Sequence, residues 1–198
     1  WEWYLSEIDN LSVALFYKDM DKPIERVVQA ASGTAGNTRT FQNSDSAALY
    51  GVELDGRFEF ILGDGYDQTL FFAFNAAFIE SEVSANNQED RSLQGQPEYT
   101  ANLIFGYDHI SAGHQLTVLL NQNGKSIADV GVSGQPDVFL EPRLDLNVVY
   151  RFGISDSLTL KAKLENLLDD EIEYTQGGQV FQVYNRGPSI QVGLDWQF

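Results

Sequence analysis

The chain has 198 residues, with 12 Lys and Arg against 29 Asp and Glu, and a formal net charge of −17. That excess of acid repels nucleic-acid phosphates, and no local cluster of Lys or Arg offsets it, which excludes DNA and RNA as partners. Cysteine is absent, which excludes a disulfide framework and a thiolate site. The longest apolar stretch, residues 69–79, is far short of the roughly 20 residues that a membrane helix needs.

Apolar and polar residues alternate along most of the chain, and a period of two predicts strands, not helices. The last eleven residues show it most clearly, because Ile190, Val192, Leu194, Trp196 and Phe198 all fall on one face of an extended chain. We predict about eight strands plus the tail of one before them, near residues 1–5, 11–20, 46–62, 67–82, 98–108, 114–122, 142–152, 158–167 and 188–198.

The connections between these strands alternate in length. Short ones are expected at residues 6–10, 63–66, 109–113 and 153–157, and long polar loops at about 21–45, 83–97, 123–141 and 168–187. Outer-membrane barrels have short periplasmic turns and long extracellular loops. If the carboxyl terminus lies in the periplasm, every short connection falls on the periplasmic side. The sequence therefore predicts an all-β fold, an antiparallel up-and-down transmembrane β-barrel segment of about eight to nine strands.

Several segments resemble the carboxyl-terminal part of the TonB-dependent outer-membrane receptors. They are Leu11–Asp19, Ala48–Leu54, Leu93–Leu103, Leu164–Asp169 with Tyr174 following, and Tyr184–Phe198. The resemblance implies a barrel of about 22 strands, filled by an amino-terminal plug, that imports a scarce nutrient with energy from the TonB complex of the inner membrane. Residues 1–198 would then form the last part of the barrel wall. No segment resembles the plug or the TonB box, and the chain opens at Trp1 without a secretory signal, so we expect a fragment of a longer precursor.

Polar residues opposite the apolar face are expected to line the barrel lumen and contact the plug. Charged side chains that faced lipid near the midplane would cost several kcal/mol, so they must face elsewhere. The alternative interpretation is the solvated face of any antiparallel sheet. The residues concerned are Glu53, Asp55, Arg57, Glu59, Asp145, Asn147, Arg151, Lys161, Lys163 and Glu165.

Aromatic residues gather at the predicted periplasmic ends of the strands, as in the girdles at a membrane interface. They are Phe105, Tyr107, Tyr150, Phe152, Trp196 and Phe198. The alternative is the aromatic core of a soluble β protein. The resemblance also implies that Trp196 and Phe198 form the signal that the barrel assembly machinery binds by strand addition.

The sequence carries no recognisable catalytic motif, so we expect no enzyme and no cofactor. His109 and His114 flank a short turn and are expected on the turn surface, because the chain lacks the ligand spacing of a zinc site. The acidic group Asp169, Asp170, Glu171 and Glu173 lacks the calcium-loop pattern and is expected to be a solvated loop.

Three functional hypotheses follow. The first is the wall of a receptor in the bacterial outer membrane, in contact with lipid, its own plug and the remaining strands, and binding a nutrient. A ferric siderophore is the family's default ligand and a carbohydrate is next. The others are a self-contained small barrel and a soluble β-sandwich binding module. Ligand contacts are expected from the loops: Arg26, Arg39, Gln42, Asn43, Asn86, Asn87, Gln88, Arg91, Asn121, Gln122, Asn123, Gln176 and Gln179.

Overall fold

The computed structural model describes residues 1–31, 36–63, 65–85 and 90–198. Within these ranges the chain forms fifteen strands: β1 Glu2–Tyr4, β2 Asn10–Asp21, β3 Ile24–Ala30, β4 Asn37–Asn43, β5 Ser46–Leu62, β6 Gln68–Ser84, β7 Tyr99–His109, β8 His114–Asn123, β9 Ser126–Gly131, β10 Val138–Leu140, β11 Arg143–Ser155, β12 Leu158–Glu165, β13 Ile172–Gln176, β14 Gln179–Tyr184 and β15 Ser189–Trp196. The described residues contain no helix long and apolar enough to cross a membrane.

Nine strands form one large sheet in the order β1-β2-β5-β6-β7-β8-β11-β12-β15. They correspond to the nine segments predicted from the alternation, and each pairs antiparallel with its neighbours. Short turns join these strands at one end, and the long connections leave the sheet at the other end. The antiparallel all-β prediction is confirmed for this sheet.

The register of the large sheet keeps like residues in line. One row of apolar residues crosses seven strands: Phe58, Phe72, Phe105, Val118, Val148, Leu164 and Ile190. A row of polar residues crosses six strands on the opposite face: Ser12, Asp55, Asn75, Asn102, Asn121 and Asp145. We call these two sides the apolar face and the polar face. A slip by one residue would exchange the two faces, so the alternation itself specifies the register.

The long connections, predicted as long polar loops, contain strands. Three of the four form a second sheet of six short strands in the order β14-β13-β10-β9-β3-β4, which we call the loop sheet. Its core is Val27, Ile127 and Val130, with Val132 and Phe139 packed against them. The sequence prediction missed these strands because they are three to seven residues long, and because two of the pairings that assemble the sheet, β3 with β9 and β10 with β13, join distant segments.

The loop sheet curls on itself. Arg39 on the edge strand β4 lies 6.0 Å from the centre of the Phe181 ring on β14, the opposite edge. Asn37 Nδ2, also on β4, donates to Gln176 Oε1 on β13 at 3.3 Å. Side chains from opposite edges meet only across the concave side of a curved sheet, so these residues define the concave face of the loop sheet.

The buried core lies away from the apolar face of the large sheet. The fully buried apolar side chains are in the loop sheet, as with Val28 and Val138, or on β5 and β6, as with Ala47 and Val83. Residues of the apolar face such as Leu15 and Phe78 stay more than half exposed. The residues that the structure describes therefore do not cover the apolar face.

Candidate functional site

The pairing places the ten predicted lumen residues on the polar face. Glu53, Asp55, Arg57 and Glu59 alternate along β5, Asp145, Asn147 and Arg151 along β11, and Lys161, Lys163 and Glu165 along β12. Opposite charges come together on this face at successive same-face positions of one strand. The pairs are Arg57 with Glu59 at 3.6 Å, Arg143 with Asp145 at 2.9 Å and Lys163 with Glu165 at 2.8 Å. That this face points into a lumen stays a prediction.

Amide side chains continue the polar face towards the end with the long connections. Asn121 Nδ2 donates to Asn102 Oδ1 on the neighbouring strand, and Asn123 Nδ2 donates to Asn121 Oδ1 at 3.1 Å. Asn121, Gln122 and Asn123 were expected among the loop residues, but they are the last residues of β8. The predicted strand 114–122 already included Asn121 and Gln122, so the loop placement was wrong only for Asn123. Asn121 and Asn123 occupy ladder positions on the polar face, and Gln122 lies on the other face of the strand.

The predicted girdle residues lie towards the end of the large sheet with the short turns. The Phe105 ring packs on Phe72 with 4.9 Å between ring centres, and the Tyr107 hydroxyl donates to Gln68 Oε1 at 3.2 Å. The rings of Trp196 and Phe198 lie edge to face with 6.4 Å between their centres, at the edge of the sheet, and both side chains are exposed. A girdle role and a role in assembly stay predictions.

His114 is not a turn-surface residue as expected. Its Nδ1 lies 2.7 Å from the Tyr150 hydroxyl, and its ring stacks on Phe152 with 4.6 Å between centres. The residue opens β8 opposite Phe152, so it joins the aromatic group. His109 Nε2 lies 3.4 Å from Asp67 Oδ2.

A buried carboxylate ties the loop sheet to the connection between β6 and β7. Glu25, which is 2% exposed, accepts hydrogen bonds from Arg91 Nη1 at 2.8 Å and Nη2 at 2.6 Å, and also from the Ser44 hydroxyl. Burial alone would raise the pKa of Glu25. The hydrogen bonds from Arg91 and Ser44 and the charge of Arg91 outweigh burial, and the pKa lies below its ordinary value.

Gln94 joins two strands of the loop sheet with its side-chain amide. Its Oε1 accepts from the backbone N of Arg26 at 2.6 Å, and its Nε2 donates to the backbone O of Arg26 at 2.9 Å and of Ala128 at 2.6 Å. The parallel pairing of β3 with β9 covers only two residue pairs, so the amide extends the ladder where the backbone pairing stops. Gly95 N donates to Ile127 O at 2.8 Å beside it. These contacts give a physical role to the Leu93–Leu103 segment.

Two arginines share one buried carboxylate on the concave face. Asp129 is 1% exposed; its Oδ1 accepts from Arg26 Nε, and its Oδ2 accepts from Arg39 Nε at 2.8 Å. Arg26 Nη2 also donates to Ala128 O at 3.1 Å. About half of each arginine side chain stays exposed. The three side chains together carry one net positive charge.

A cavity of about 470 Å³ opens beside Arg26. Its lining combines one guanidinium, aromatic rings, amide or hydroxyl groups and an aliphatic side chain: Arg26, Phe41, Tyr174, Gln94, Ser126 and Leu140. Sequence reasoning named Arg26, Arg39 and Gln176 as loop residues, but not Asp129, Phe41 or Tyr174. Their convergence depends on pairing between distant segments, which no local pattern indicates.

The remaining expectations concern metals and part of the loops. Within the ranges that the structure describes, no group of three or more His, Asp or Glu is placed to hold a metal ion. In the acidic group, Asp170 Oδ2 accepts from Leu144 N at 2.7 Å, so this carboxylate supports the backbone. Asn86, Asn87 and Gln88 lie outside the described residues.

The comparisons with known proteins decide the family. The family model described as TonB dependent receptor-like, beta-barrel, matches residues 1–167. The chain belongs to this family. It matches the β-barrel part of the outer-membrane receptors of this family, and the family and the similar solved structures are receptors, not enzymes. The predictions of family, fold class and outer-membrane location are confirmed, and the soluble β-sandwich is excluded.

Relatives and solved structures agree with this assignment. The iron-regulated outer membrane virulence protein of two Vibrio cholerae strains is 26% identical over 200 residues, which cover 94% of this chain and 28% of that protein. The siderophore receptor PirA from Acinetobacter baumannii has a TM-score of 0.66 at 18% identity, over 98% of this chain and 30% of that one. The ferric enterobactin receptor PfeA from Pseudomonas aeruginosa, as an R480A mutant in complex with enterobactin, has a TM-score of 0.62 at 18% identity with the same coverage. The chain thus spans less than a third of the length of these proteins.

Proposed function

We propose that the chain is the carboxyl-terminal wall of a receptor that imports a ferric siderophore across the outer membrane with energy supplied through TonB. The observation that carries this proposal is the two-faced register of the large sheet, with the loop sheet built from three of its long connections. An apolar face that the described residues leave uncovered is suited to contact with lipid, and a polar face to contact with a plug. The names of the relatives, which refer to iron regulation and siderophores, support the choice of ligand.

In this proposal each part of the chain has a separate partner. The ten residues from Glu53 to Glu165 on the polar face line the lumen and contact the plug. The girdle residues lie at the periplasmic interface with lipid, and the barrel assembly machinery binds the last strand through Trp196 and Phe198. The receptor as a whole would have about 22 strands, so β1 and β15 pair with strands outside this chain.

Growth of a strain without the full gene tests the proposal. We expect the deletion to abolish growth on at least one ferric siderophore as the sole iron source, and loss of TonB to have the same effect. Growth on sugars as carbon sources should be unchanged. Normal growth on every ferric siderophore, with a defect on a carbohydrate instead, would contradict the iron assignment and favour the carbohydrate. Growth on the chelate without TonB would contradict the energy source.

A further inference from the structure

The last four strands of the chain form one long hairpin, with β12 and β13 in the first arm and β14 and β15 in the second. β12 pairs with β15 as far as Glu165 with Ser189, and β13 pairs with β14 farther along the same hairpin. Between the two ladders, Asn166 Nδ2 donates to the backbone O of Gly187 at 3.1 Å. Among the described residues, β14 and β15 pair with the first arm only. Their free edges therefore lie on the same side of the hairpin.

The backbone of β14 directs hydrogen-bonding groups to this free edge. Glu141 N donates to Glu173 O at 3.0 Å, so the backbone N–H and C=O of Glu173 point towards β10. Val183 lies opposite Glu173 in the ladder of β13 with β14. In an antiparallel ladder, a residue whose N–H and C=O point to one neighbour exchanges no hydrogen bonds with its partner on the other side. The Val183 N–H and C=O therefore point away from β13, to the free edge.

The side chains of β14 do not protect this edge against further pairing. Edge strands are commonly protected by charged side chains or by proline. The segment Gln179–Tyr184 contains neither, although 21% of the chain is charged. Its large apolar residues are β-branched or aromatic, which favours strand pairing, and each is at least 40% exposed: Val180, Phe181, Val183 and Tyr184. The composition of β14 is therefore suited to the addition of a further strand.

We propose that the strand that pairs with β15 in the complete barrel continues outward and adds its extension to the free edge of β14. The inference rests on the proposed function, since it assumes that β15 pairs with a strand outside this chain. It goes further, because closure of the barrel requires pairing with β15 alone. The ten residues from Gln179 to Pro188 precede β15, so the extension continues about ten residues beyond the partner of Ser189. The pairing fixes the loop sheet to the strand at which the barrel closes.

Hydrogen exchange at single-residue resolution in the purified full-length receptor in detergent tests the pairing. The Val183 amide should exchange at least about a hundredfold more slowly than in an unfolded peptide, because pairing protects it. The Val192 amide of β15 is the internal control: Gln197 N donates to Ser157 O at 2.9 Å, and alternation along the strand turns the Val192 N–H to the free edge. A fast Val183 amide beside a slow Val192 amide refutes the inference and leaves the proposed function standing. If both amides exchange fast, the closed barrel of the proposed function fails as well.

Two substitutions of Val183 test the pairing independently. Val183→Pro removes the outward N–H, which is tolerated where that side of an edge strand faces solvent. Val183→Ala keeps the N–H and is the matched control. In a paired edge, Val183→Pro should raise the exchange rate of the Val180 amide about tenfold, the effect of one lost hydrogen bond, and Val183→Ala should not. Equal exchange at Val180 in the two variants would show that the edge is free.

A photoreactive benzoylphenylalanine in place of Val183 or of Val192 identifies the partner strand. We expect both positions to crosslink within one receptor molecule to a single continuous segment, at points about nine residues apart. A crosslink from Val183 to a second copy of the receptor, or to a segment not continuous with the partner of Val192, would assign the edge to another occupant and overturn the inference.

Discussion

At the scale of single residues, the loop sheet depends on two buried carboxylates. A buried charge is costly unless it is paired and hydrogen-bonded. Glu25 accepts hydrogen bonds from Arg91, from the Ser44 hydroxyl and from the backbone N of Gln94. Asp129 accepts hydrogen bonds from Arg26 and Arg39. In each case the carboxylate and its arginines come from different segments, and the pair of Asp129 with Arg39 joins β9 to β4, two strands that no ladder joins directly.

Glu25→Gln should loosen the loop sheet without disturbing the large sheet. The change leaves the Arg91 guanidinium, whose side chain is 13% exposed, without its counter-charge. Breaking a buried pair from one side costs about 3–5 kcal/mol. We expect faster hydrogen exchange of the β3 and β9 backbone amides in the full-length receptor, with unchanged heat-modifiable gel mobility. The control is Glu171→Gln, at an exposed position directly before β13 of the loop sheet. It should change neither the hydrogen exchange nor the gel mobility.

The same pair makes the loop sheet sensitive to acid. Because the pKa of folded Glu25 is lowered, its contribution to stability is present above the unfolded pKa of about 4.3 and is lost as the pH falls through the folded value. Exchange protection of β3 should therefore be constant from neutral pH to about pH 5 and decline only below about pH 4. In Glu25→Gln this step should be missing; an identical decline in the variant would assign it to another group.

At the scale of secondary structure, each strand of the large sheet has two chemically different faces. Leu146 pairs with Leu120 on the apolar face, while the adjacent Asn147 lies on the polar face, where its Oδ1 accepts from Asn166 N at 3.0 Å. In the last strand, β15, all eight residues are exposed, because the strand pairs with β12 on one side only.

Arginine substitutions on neighbouring residues should separate the two faces. Leu146→Arg or Leu160→Arg should impair barrel assembly by about 2–4 kcal/mol if these positions face lipid near the midplane. Asn147→Arg should cost only about the 1 kcal/mol of one hydrogen bond and should alter contact with plug or ligand instead. The readout is heat-modifiable gel mobility of the full-length variants. Equal tolerance of both kinds of change would show that the face assignment is wrong.

The end of β15 provides a test of assembly. Trp196 pairs with Leu158, and Gln197 N donates to Ser157 O at 2.9 Å, so Phe198 extends one residue beyond the ladder. We expect deletion of Phe198, or Trp196→Asp with Phe198 intact, to lower the amount of receptor in the outer membrane and to leave ligand affinity per inserted molecule unchanged. If both variants insert normally, β15 is not the strand that the assembly machinery binds.

At the scale of the whole molecule, the large sheet is open. Its edge strands β1 and β15 each have one neighbour, and its apolar face is covered by no other part of the described chain. Unpaired strand edges and a large exposed apolar surface both drive association in water.

The isolated chain should therefore not be a stable monomer in buffer. We expect analytical ultracentrifugation without detergent to show association or aggregation, and detergent to reduce it. A monodisperse, cooperatively melting monomer in plain buffer would contradict both the membrane location of the apolar face and the pairing of β1 and β15 with further strands.

The sequence by itself determined the nine strands of the large sheet, their two faces and the position of the short turns. These properties are local, because the side of a strand on which a residue lies depends only on its parity, and long hairpins such as β5 with β6 inherit their register from the turn between them. The segments that carry the family resemblance lie in these strands and in the residues directly beside them.

Only the tertiary structure decided the loop sheet and the cavity beside Arg26. Val27 pairs with Val130, Gln94 bridges Arg26 and Ala128, and Asp129 binds Arg39, all between segments that lie far apart in the sequence. Short strands carry too few residues for an alternation to show, and an amide that substitutes for a backbone partner leaves no periodic signal. Such contacts arise from the three-dimensional closure of the loops above the large sheet, so no local pattern of residues could have indicated them.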